Sequence, residues 1–409
     1  MLFASWQREL LSLFPPPITL ATVLGRNFVP TIATFRLYPE SACARGFSLK
    51  FWLLTLRAES GMDIALWIVA LVAAALLAGI LYQHIAGWRD GRRYAAGGRT
   101  VRLRNGCTLH AVQQGSGSPA VVFEAGIGAT SVNWRHIQEA IAQSARTISY
   151  DRAGLGWSGP CRTARTPANV AAELHEMLQQ AGVRPPLILV GHSFGGLVMR
   201  RYALLHPEDV AGLVLVDPMR CEEWPPFVPA RQSQLDIARG LCTCAIPIAA
   251  CGLARLGLSS LLCGSGKVAQ RLAGIAGENC RYVLKRIKNE VAKMPREIPP
   301  MVVASWSRPE FYAGMRSHLE AIPESVTEMQ DAEPIRGIPI LLLTPGKSAP
   351  LDDASLGRIG DHVRQVIAAA SEHWIHFDEP ALVIDSIREM VTAAAAQCVT
   401  SLQQPASIL

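Results

Sequence analysis

Charged residues and paired cysteine motifs are scarce in this sequence. Only 18% of its 409 residues are Asp, Glu, Lys or Arg, and the formal net charge of +6 is spread along the chain. Because the positive charge forms no basic stripe with interleaved aromatic residues, the sequence gives little support to nucleic-acid binding. Hydrophobic residues make up 50% of the chain, which is enough to bury a large core and argues against disorder.

The cysteines lack the spacing of a metal site or of a disulfide scaffold. There are ten of them, with no C-x-x-C pair. Four lie close together in an apolar stretch, but no histidine lies among them: Cys242, Cys244, Cys251 and Cys263. A metal site is therefore disfavoured, and we predict buried free thiols.

One charge-free run, residues 64–81, is long enough to cross a membrane. Its eighteen residues would reach roughly 27 Å as a helix, about the thickness of the hydrocarbon core. Trp67, Tyr82 and Trp88 occupy positions suited to the membrane interface. Basic residues are more frequent on the carboxyl side (Arg89, Arg92, Arg93, Arg99) than on the amino side (Lys50, Arg57).

This pattern predicts a single-pass anchor helix over residues 62–88, with the carboxyl-terminal domain in the cytoplasm. Two alternatives stay open: an export signal, which would place the chain outside the cytoplasm or in the periplasm, and a buried core helix. Residues 1–61 show no sustained period, so we assign them no fold. We hypothesise that they are an upstream extension and that Met62 is the true start, which peptides from upstream of Met62 would contradict.

From residue 100 onward the pattern predicts strands alternating with helices. A hairpin with an Asn105-Gly106 turn comes first, over residues 101–103 and 107–113. Apolar strand-like runs follow at 120–123, 147–150, 187–190, 213–216, 338–343 and 366–369, and helical segments at 131–143, 167–181, 196–205 and 380–396. Strands buried on both faces that alternate with helices indicate a doubly wound, mostly parallel α/β sheet.

The sheet pattern is interrupted between its fourth and fifth apolar runs. We therefore divide the domain into a core, residues 95–218 and 337–400, and an inserted helical cap, residues 219–336. Open sheets of this kind bind ligands beyond the carboxyl ends of their strands, where the cap would lie. Part of the cap, residues 242–263, is apolar, although Arg255 interrupts it. A lid of such composition predicts an apolar substrate.

A serine follows one of the apolar strands on a glycine-rich turn. The segment Gly191-His192-Ser193-Phe194-Gly195 comes directly after residues 187–190 and directly before a helical segment. Such a strand-to-helix turn holds the serine in strained backbone torsions, and small flanking residues let strand and helix pack closely. The turn would aim the hydroxyl of Ser193 into a cleft.

Three segments together resemble the α/β-hydrolase superfamily, of the capped type. They are residues 190–196 around Ser193, residues 150–158 (YDRAGLGWS) and residues 372–376 (EHWIH), and the resemblance covers about residues 100–400. It implies the α/β-hydrolase fold, with Ser193 as nucleophile and His373 as its general base; His376 is the rival base.

The resemblance implies less about the remaining groups. Residues 341–348, where this superfamily most often carries its third catalytic residue, contain no acid, and Asp352 and Asp353 come later than expected, so Asp217 is preferred. Backbone amides of Phe194 and Ile127 are the expected oxyanion donors. Glu124 is expected to pair with Arg152, and Asp151 and Arg152 to order the loop beneath the site.

These residues imply a serine hydrolase, similar to carboxylesterases or lipases, that cleaves a carboxylic ester of a small apolar substrate through an acyl-enzyme intermediate. Amides and thioesters are less favoured substrates. Hydrolysis of carbon-carbon bonds and perhydrolysis use the same three residues and stay open, as does a non-catalytic ligand-binding protein on this scaffold. We expect no cofactor, no metal and no nucleic-acid partner, and contact with a membrane through the amino-terminal helix.

Overall fold

A long helix precedes the domain. The computed structural model describes residues 48–95, 97–221, 229–263, 288–289 and 291–403. Helix α1 (Ser48–Tyr94) is longer than the predicted anchor, because residues 48–61, to which the pattern assigned no fold, are also helical. Residues 1–47 lie outside the described chain. Over residues 64–81 the large apolar side chains of α1 are exposed, and α1 is long and apolar enough to cross a membrane.

The domain is built on one eight-stranded sheet of order β1-β2-β4-β3-β5-β6-β7-β8. The pairs β1/β2 and β2/β4 are antiparallel and every other pair is parallel, so the mostly parallel sheet is confirmed. Its strands are β1 (Arg99–Arg102), β2 (Thr108–Gln114), β3 (Ala120–Glu124), β4 (Arg146–Tyr150), β5 (Leu187–His192), β6 (Val210–Val216), β7 (Ile340–Pro345) and β8 (Val363–Ala368).

Helices cover both faces of the sheet. Alternate strand residues point to opposite faces. Leu189 therefore packs with the helices at residues 167–180 and 194–205, while its neighbours Ile188 and Val190 pack with those at 135–141 and 380–403. The fold is therefore doubly wound, as predicted. The core helices are α2 (Arg135–Ile141), α3 (Pro167–Gln180), α4 (Phe194–Leu205), α10 (Asp353–Ile359), α11 (Ile375–Asp378) and α12 (Pro380–Gln403).

The insertion between β6 and β7 is helical in its described parts. Ile322, Val326 and Met329 of the cap pack on Phe194 and Leu197 of α4, next to the turn that carries Ser193. This contact places the cap over the carboxyl ends of the central strands. Its helices are α5 (Pro229–Ala250), α6 (Leu253–Leu258), α7 (Ile298–Trp306), α8 (Pro309–Glu320) and α9 (Ile322–Gln330).

The cysteines differ from the sequence prediction in two ways. Cys244 and Cys263 are exposed and Cys242 and Cys251 half-buried, so the prediction of buried thiols is wrong for this group. Cys107 and Cys161 form a disulfide with Cα atoms 5.2 Å apart, although 54 positions separate them. Only the pairing of β2 with the loop after β4 brings these two cysteines together, which spacing alone does not reveal.

Candidate active site

Ser193 sits at a sharp turn between β5 and α4, in a conformation that side chains rarely adopt. Its φ is 54° and its ψ is −120°. The turn is held by backbone hydrogen bonds, because the Ser193 N–H donates to Val216 O (3.2 Å) and Ser193 O accepts from the N–H groups of Gly196 (2.9 Å) and Met219 (3.0 Å). Surrounding structure therefore enforces the strain, as is common at functional sites.

Two glycines make this turn possible. A Cβ added to Gly191 would lie 2.6 Å from the carbonyl oxygen of Gly195, and one added to Gly195 would lie 2.5 Å from the carbonyl oxygen of Glu124. Both distances are shorter than any side chain tolerates against backbone. The requirement for small residues on either side of Ser193, expected from the sequence, follows from these contacts.

The structure brings Asp217 and His373 together. Asp217 directly follows β6, and its N–H donates to Leu343 O of the neighbouring strand at 2.9 Å. Its φ of 41° is again unusual for a residue with a side chain. His373 lies in the loop after β8, and its Nδ1 is 2.6 Å from Asp217 Oδ2. Since Nδ1 faces the carboxylate, Nε2 is the ring nitrogen left to accept a proton.

His373 and Ser193 line the same small cavity, with a volume of about 60 Å³. The Ser193 Oγ is buried and makes no hydrogen bond to any described residue. The side chains of Ile127 and Trp374 form apolar parts of its lining. Gly126 borders the cavity closely, since a Cβ added there would lie 3.4 Å from the Cβ of Ser193. We call this space the Ser193 cavity.

The rival candidates make different contacts, although His376 also lines the Ser193 cavity. The ring of His376 is buried with its centroid 4.8 Å from that of Trp134, and neither of its nitrogens bonds to a described residue. Burial and then the nearby histidines, His192 foremost, hold the pKa of His376 well below its usual value. The Asp352 carboxylate caps α10 by accepting from the Ser355 N–H at 2.8 Å. Asp353, in the first turn of α10, is exposed.

The loop after β3 borders the Ser193 cavity through Gly126, Ile127 and Ala129. The guanidinium of Arg152 donates to Ala125 O and to Gly126 O, both at 2.6 Å. In a planar trans peptide the C=O and N–H point in opposite directions. The Ile127 N–H, which shares its peptide with Gly126 O, therefore points away from Arg152. Phe194 is the first residue of α4, so its N–H has no acceptor within the helix.

Comparison with known proteins agrees with this arrangement. Residues 119–236 match the sequence model of a family described as alpha/beta hydrolase fold. Among solved structures, Cfl2 from Burkholderia cenocepacia aligns with a TM-score of 0.56 at 20% identity, covering 72% of this chain and 95% of Cfl2. The epoxide hydrolase CorEH aligns with a TM-score of 0.54 at 16% identity, covering 72% of this chain and 98% of CorEH.

The chain has the α/β-hydrolase fold.

A sequence relative covers a shorter stretch. The uncharacterized protein YqjL of Bacillus subtilis (strain 168) is 37% identical to this chain over 115 residues, which make up 28% of this chain and 46% of YqjL. The chain thus matches less than half of the length of this relative.

A buried ionic network supports the loop after β3 from beneath. Arg152 Nη1 lies 2.6 Å from Glu124 Oε1, as expected from the sequence, and the Tyr150 hydroxyl donates to the other Glu124 oxygen. Burial raises the pKa of the Glu124 carboxyl, and the Arg152 charge opposes that rise. Burial and then Glu124 raise the pKa of Tyr150 well above its usual value. The network therefore holds the Arg152 guanidinium against the carbonyl oxygens of Ala125 and Gly126.

Asp151 orders the loop on the other side of the same strand end, as predicted. Its carboxylate accepts from the N–H groups of Ser131 (2.8 Å) and Trp157 (2.9 Å) and lies 3.1 Å from Nδ1 of His110. Burial alone would raise the pKa of Asp151, yet these hydrogen bonds hold it below its usual value. The residue contributes to structure and does not line the Ser193 cavity.

Sequence reasoning assigned no role to two histidines that support the site. The Nε2 of His192 donates to the carbonyl oxygen of His373 at 2.9 Å, which fixes the loop that carries the imidazole. His318, on α8 of the cap, accepts from Nε of Arg152 at 3.1 Å and donates from Nδ1 to Gly314 O at 2.9 Å. The only sequence signal for His192 was its position next to Ser193 in the glycine-rich turn, and His318 had no such signal.

Proposed function

We propose that this protein is a serine hydrolase that cleaves a carboxylic ester of an apolar substrate through an acyl-enzyme intermediate. One observation carries the proposal: a strained serine, and an imidazole already paired with a carboxylate, line one cavity with the Ile127 loop. A serine hydroxyl is a weak nucleophile until a neighbouring base accepts its proton. Ser193, His373 and Asp217 have the residue types and order that this chemistry needs.

In the proposed first half-reaction, Ser193 Oγ attacks the ester carbonyl while His373 Nε2 takes the hydroxyl proton. The Asp217 carboxylate stabilises the imidazolium through Nδ1, 2.6 Å away. The carbonyl oxygen becomes an oxyanion and accepts from the N–H groups of Ile127 and Phe194. Each such donor contributes roughly 2.7 to 4 kcal/mol to lowering the barrier. His373 then gives its proton to the departing alcohol.

In the second half-reaction, water attacks the acyl group on Ser193, with His373 again acting first as base and then as acid. The acid product leaves and the serine hydroxyl is regenerated, so no external redox partner is needed. The apolar lining of the Ser193 cavity, Ile127 and Trp374, supports an apolar acyl or alcohol group. A hydroxyl in place of a carboxylate at this turn argues against epoxide opening by a carboxylate nucleophile.

Carbon-carbon bond hydrolysis and perhydrolysis would use the same three residues, and analysis of products separates them from ester hydrolysis. A non-catalytic ligand-binding protein is the alternative from another class. The pairing of Asp217 with His373 disfavours the ligand-binding alternative, because the main argument for a non-catalytic protein would be an imidazole that lacks a carboxylate partner.

A fluorophosphonate probe tests the proposal. We expect the wild-type protein to be labelled on the peptide that contains Ser193, and the Ser193→Ala variant to stay unlabelled while keeping the same circular dichroism spectrum. The Ser371→Ala variant is a matched control, since Ser371 is also a buried serine near the site but donates to Glu379 at 2.6 Å. An unlabelled, folded wild-type protein would favour the ligand-binding alternative. Turnover of p-nitrophenyl esters of graded chain length then measures the acyl preference.

We also propose that α1 attaches this hydrolase to a membrane as a single-pass anchor, supported by the exposed apolar run over residues 64–81. The arginines after the run favour a cytoplasmic domain. The Cys107–Cys161 disulfide favours the opposite side, because disulfides persist in oxidising compartments. We give the disulfide more weight, since it belongs to the folded domain itself, and propose the exported orientation.

Alkylation of thiols in intact cells tests the orientation. We expect Cys107 and Cys161 to resist a thiol reagent until a reductant is added, while the exposed Cys244 reacts at once with a reagent that does not cross membranes. Free thiols at positions 107 and 161 in protein trapped by rapid acid quenching would instead support the cytoplasmic placement.

A further inference from the structure

The carboxyl half of helix α1 packs against the cap. A Cβ added to Gly79 would fall 2.3 Å from the carbonyl oxygen of Cys251, and one added to Gly252 would fall 3.0 Å from Gly79 O. The two backbones are therefore in direct contact. Cys251 and Gly252 form the corner between α5 and α6, which we call the cap corner.

A buried polar contact fixes this arrangement. Arg255 of α6 donates from Nε to Gln83 Oε1 at 2.9 Å and from Nη1 to Asp90 Oδ2 at 2.5 Å. Gln83 in turn donates from Nε2 to Ser307 O at 2.9 Å. Because Arg255 and Gln83 are both buried, separating α1 from the cap would expose or orphan a charge. The cap corner therefore stays at a fixed position along α1.

That position coincides with the end of the apolar run. Gly79 precedes Leu81, the last residue of the run, by two residues, or roughly 3 Å along a helix. If the run spans the hydrocarbon core, the cap corner lies at the boundary between hydrocarbon and headgroups. Tyr82, an exposed aromatic residue of the kind enriched at this depth, contacts the corner through Gly252.

The cap corner presents large apolar side chains to its surroundings at this level. Ile248 is 46% exposed, Leu253 56% and Leu256 55%. Other residues of α5, Leu235 and Ala249, are buried against the rest of the domain. The segments 232–250 and 253–263 meet at 97°, so they form a bend and no straight crossing. An exposed apolar edge beside a membrane span, at the depth of the interface, matches a lipid surface.

We propose that the cap corner inserts Ile248, Leu253 and Leu256 into the interfacial layer of the bilayer beside α1. The inference rests on the proposed membrane anchor and deepens the proposed function. The cap, which packs on α4 next to the Ser193 turn, is held on the lipid surface, so the substrates that reach the site are esters that partition into membranes. Continuity with the apolar run favours lipid over a partner protein or a second copy of this chain.

Site-specific photocrosslinking tests the insertion. The full chain is reconstituted in vesicles of phosphatidylcholine and phosphatidylglycerol, with p-benzoylphenylalanine replacing Leu253 or Leu256 one at a time. The same probe replaces Leu71 as a positive control within the apolar run, and Leu205 or Ile367 as matched controls, each 42% exposed on the core domain. We expect phospholipid adducts at positions 253, 256 and 71, several times more abundant than at positions 205 and 367.

Adducts at position 71 without adducts at 253 and 256 would overturn the proposal, as would crosslinks from 253 or 256 to a second protein chain. Missing adducts at position 71 would overturn it by removing the anchor on which it rests. The Ser193→Ala background should give the same adducts, so failure of the catalytic proposal would leave this result intact and is told apart from it.

A kinetic arm links the corner to substrate supply. The double variant Leu253→Ser/Leu256→Ser should keep wild-type turnover of a short water-soluble ester but lose most of its turnover of a long-chain ester embedded in vesicles. The double variant Leu205→Ser/Ile367→Ser should lose neither activity. Equal turnover of the embedded ester by both double variants would contradict the role of the corner.

Discussion

Asp217 is the residue on which the proposed chemistry depends most narrowly, because its carboxylate lies 2.6 Å from Nδ1 of the proposed base His373. We expect Asp217→Asn to lower kcat for p-nitrophenyl esters by about 10⁴-fold, since an amide would leave the imidazole in the wrong tautomer and its cation without a counter-charge. The thermal unfolding midpoint should change little by comparison.

Asp352→Asn provides the comparison for this measurement. Asp352 caps α10 from an exposed position, so its replacement by another good capping residue should leave kcat near the wild-type value. A large loss of kcat in Asp352→Asn together with near-normal rates in Asp217→Asn would transfer the role of the acid and refute this assignment.

His318 makes the stability of the protein depend on pH. Burial and then the charge of Arg152 hold its pKa well below the usual value. The unfolded chain takes up a proton at this residue as the pH falls below about 6.5, whereas the folded protein does not, so stability is lost on acidification. His192 and His376, whose pKa values are also lowered by burial, act in the same direction.

We expect the unfolding midpoint to fall between about pH 7.5 and 5.5, and to fall less in His318→Gln, whose amide oxygen still accepts from Arg152. Glu124 and His110, with raised pKa values, act in the opposite direction in both proteins, so the difference between the two curves reports on His318. Parallel curves for wild type and His318→Gln, followed by scanning fluorimetry in detergent, would count against a neutral buried imidazole at this position.

At the residue scale the sequence indicated Ser193, His373 and Asp217 because each follows an apolar strand, and strand ends meet at one edge of a parallel sheet. It could not indicate His192 or His318 as supports. Their partners, the carbonyl of His373 and the guanidinium of Arg152, lie 181 and 166 positions away along the chain. Only packing of the cap and of the loop after β8 brings them into reach.

At the scale of elements, the loop between β3 and the 3₁₀ turn at Ser131–Trp134 would supply the Ile127 N–H to the oxyanion. This loop belongs to no helix or strand, so side-chain contacts have to hold it in place. Its carbonyls at Ala125 and Gly126 both point at Arg152. A lysine cannot donate in this forked geometry, so Arg152→Lys should misplace the Ile127 N–H. We expect kcat to fall by roughly 10- to 100-fold with a small change in KM, because the donor acts mainly in the transition state.

Arg165→Lys is the matched control for this variant. Arg165 is also buried and forked, but it pairs with Glu173 at 2.8 Å and does not line the Ser193 cavity. It should lose stability without the selective loss of kcat. If both variants lost kcat and thermal stability to the same degree, Arg152 would be a general structural residue and no positioning residue for the oxyanion loop.

The strands and helices of the core were predicted well because their apolar periods are strong. The predicted run 338–343 appears as Ile340–Pro345, and the predicted helix 167–181 as Pro167–Gln180. Errors arose where tertiary contacts override local pattern. The cysteines of the cap lie on surfaces that composition alone suggested were buried, and Arg255, which seemed to interrupt an apolar stretch, is the residue that joins the cap to α1.

At the scale of the whole molecule, anchor, cap and core form one connected unit. Helix α1 contacts the cap corner through Gly79, the cap packs on α4 through Ile322, and α4 begins directly after Ser193. The proposed membrane attachment at one end and the proposed nucleophile at the other are thus linked by packed elements. The sequence predicted each part separately, but the contacts between them depend on the folded arrangement of the insertion.

The central claim is that Ser193 becomes acylated during turnover. Rapid mixing of the full-length protein with a p-nitrophenyl ester, followed by acid quenching and peptide mass analysis, tests it most directly. The account predicts a burst of p-nitrophenol close to one equivalent per protein and an acyl group on the peptide that contains Ser193, with neither in Ser193→Ala. Steady turnover with no acylated serine, or an acyl group on another residue, would contradict the account.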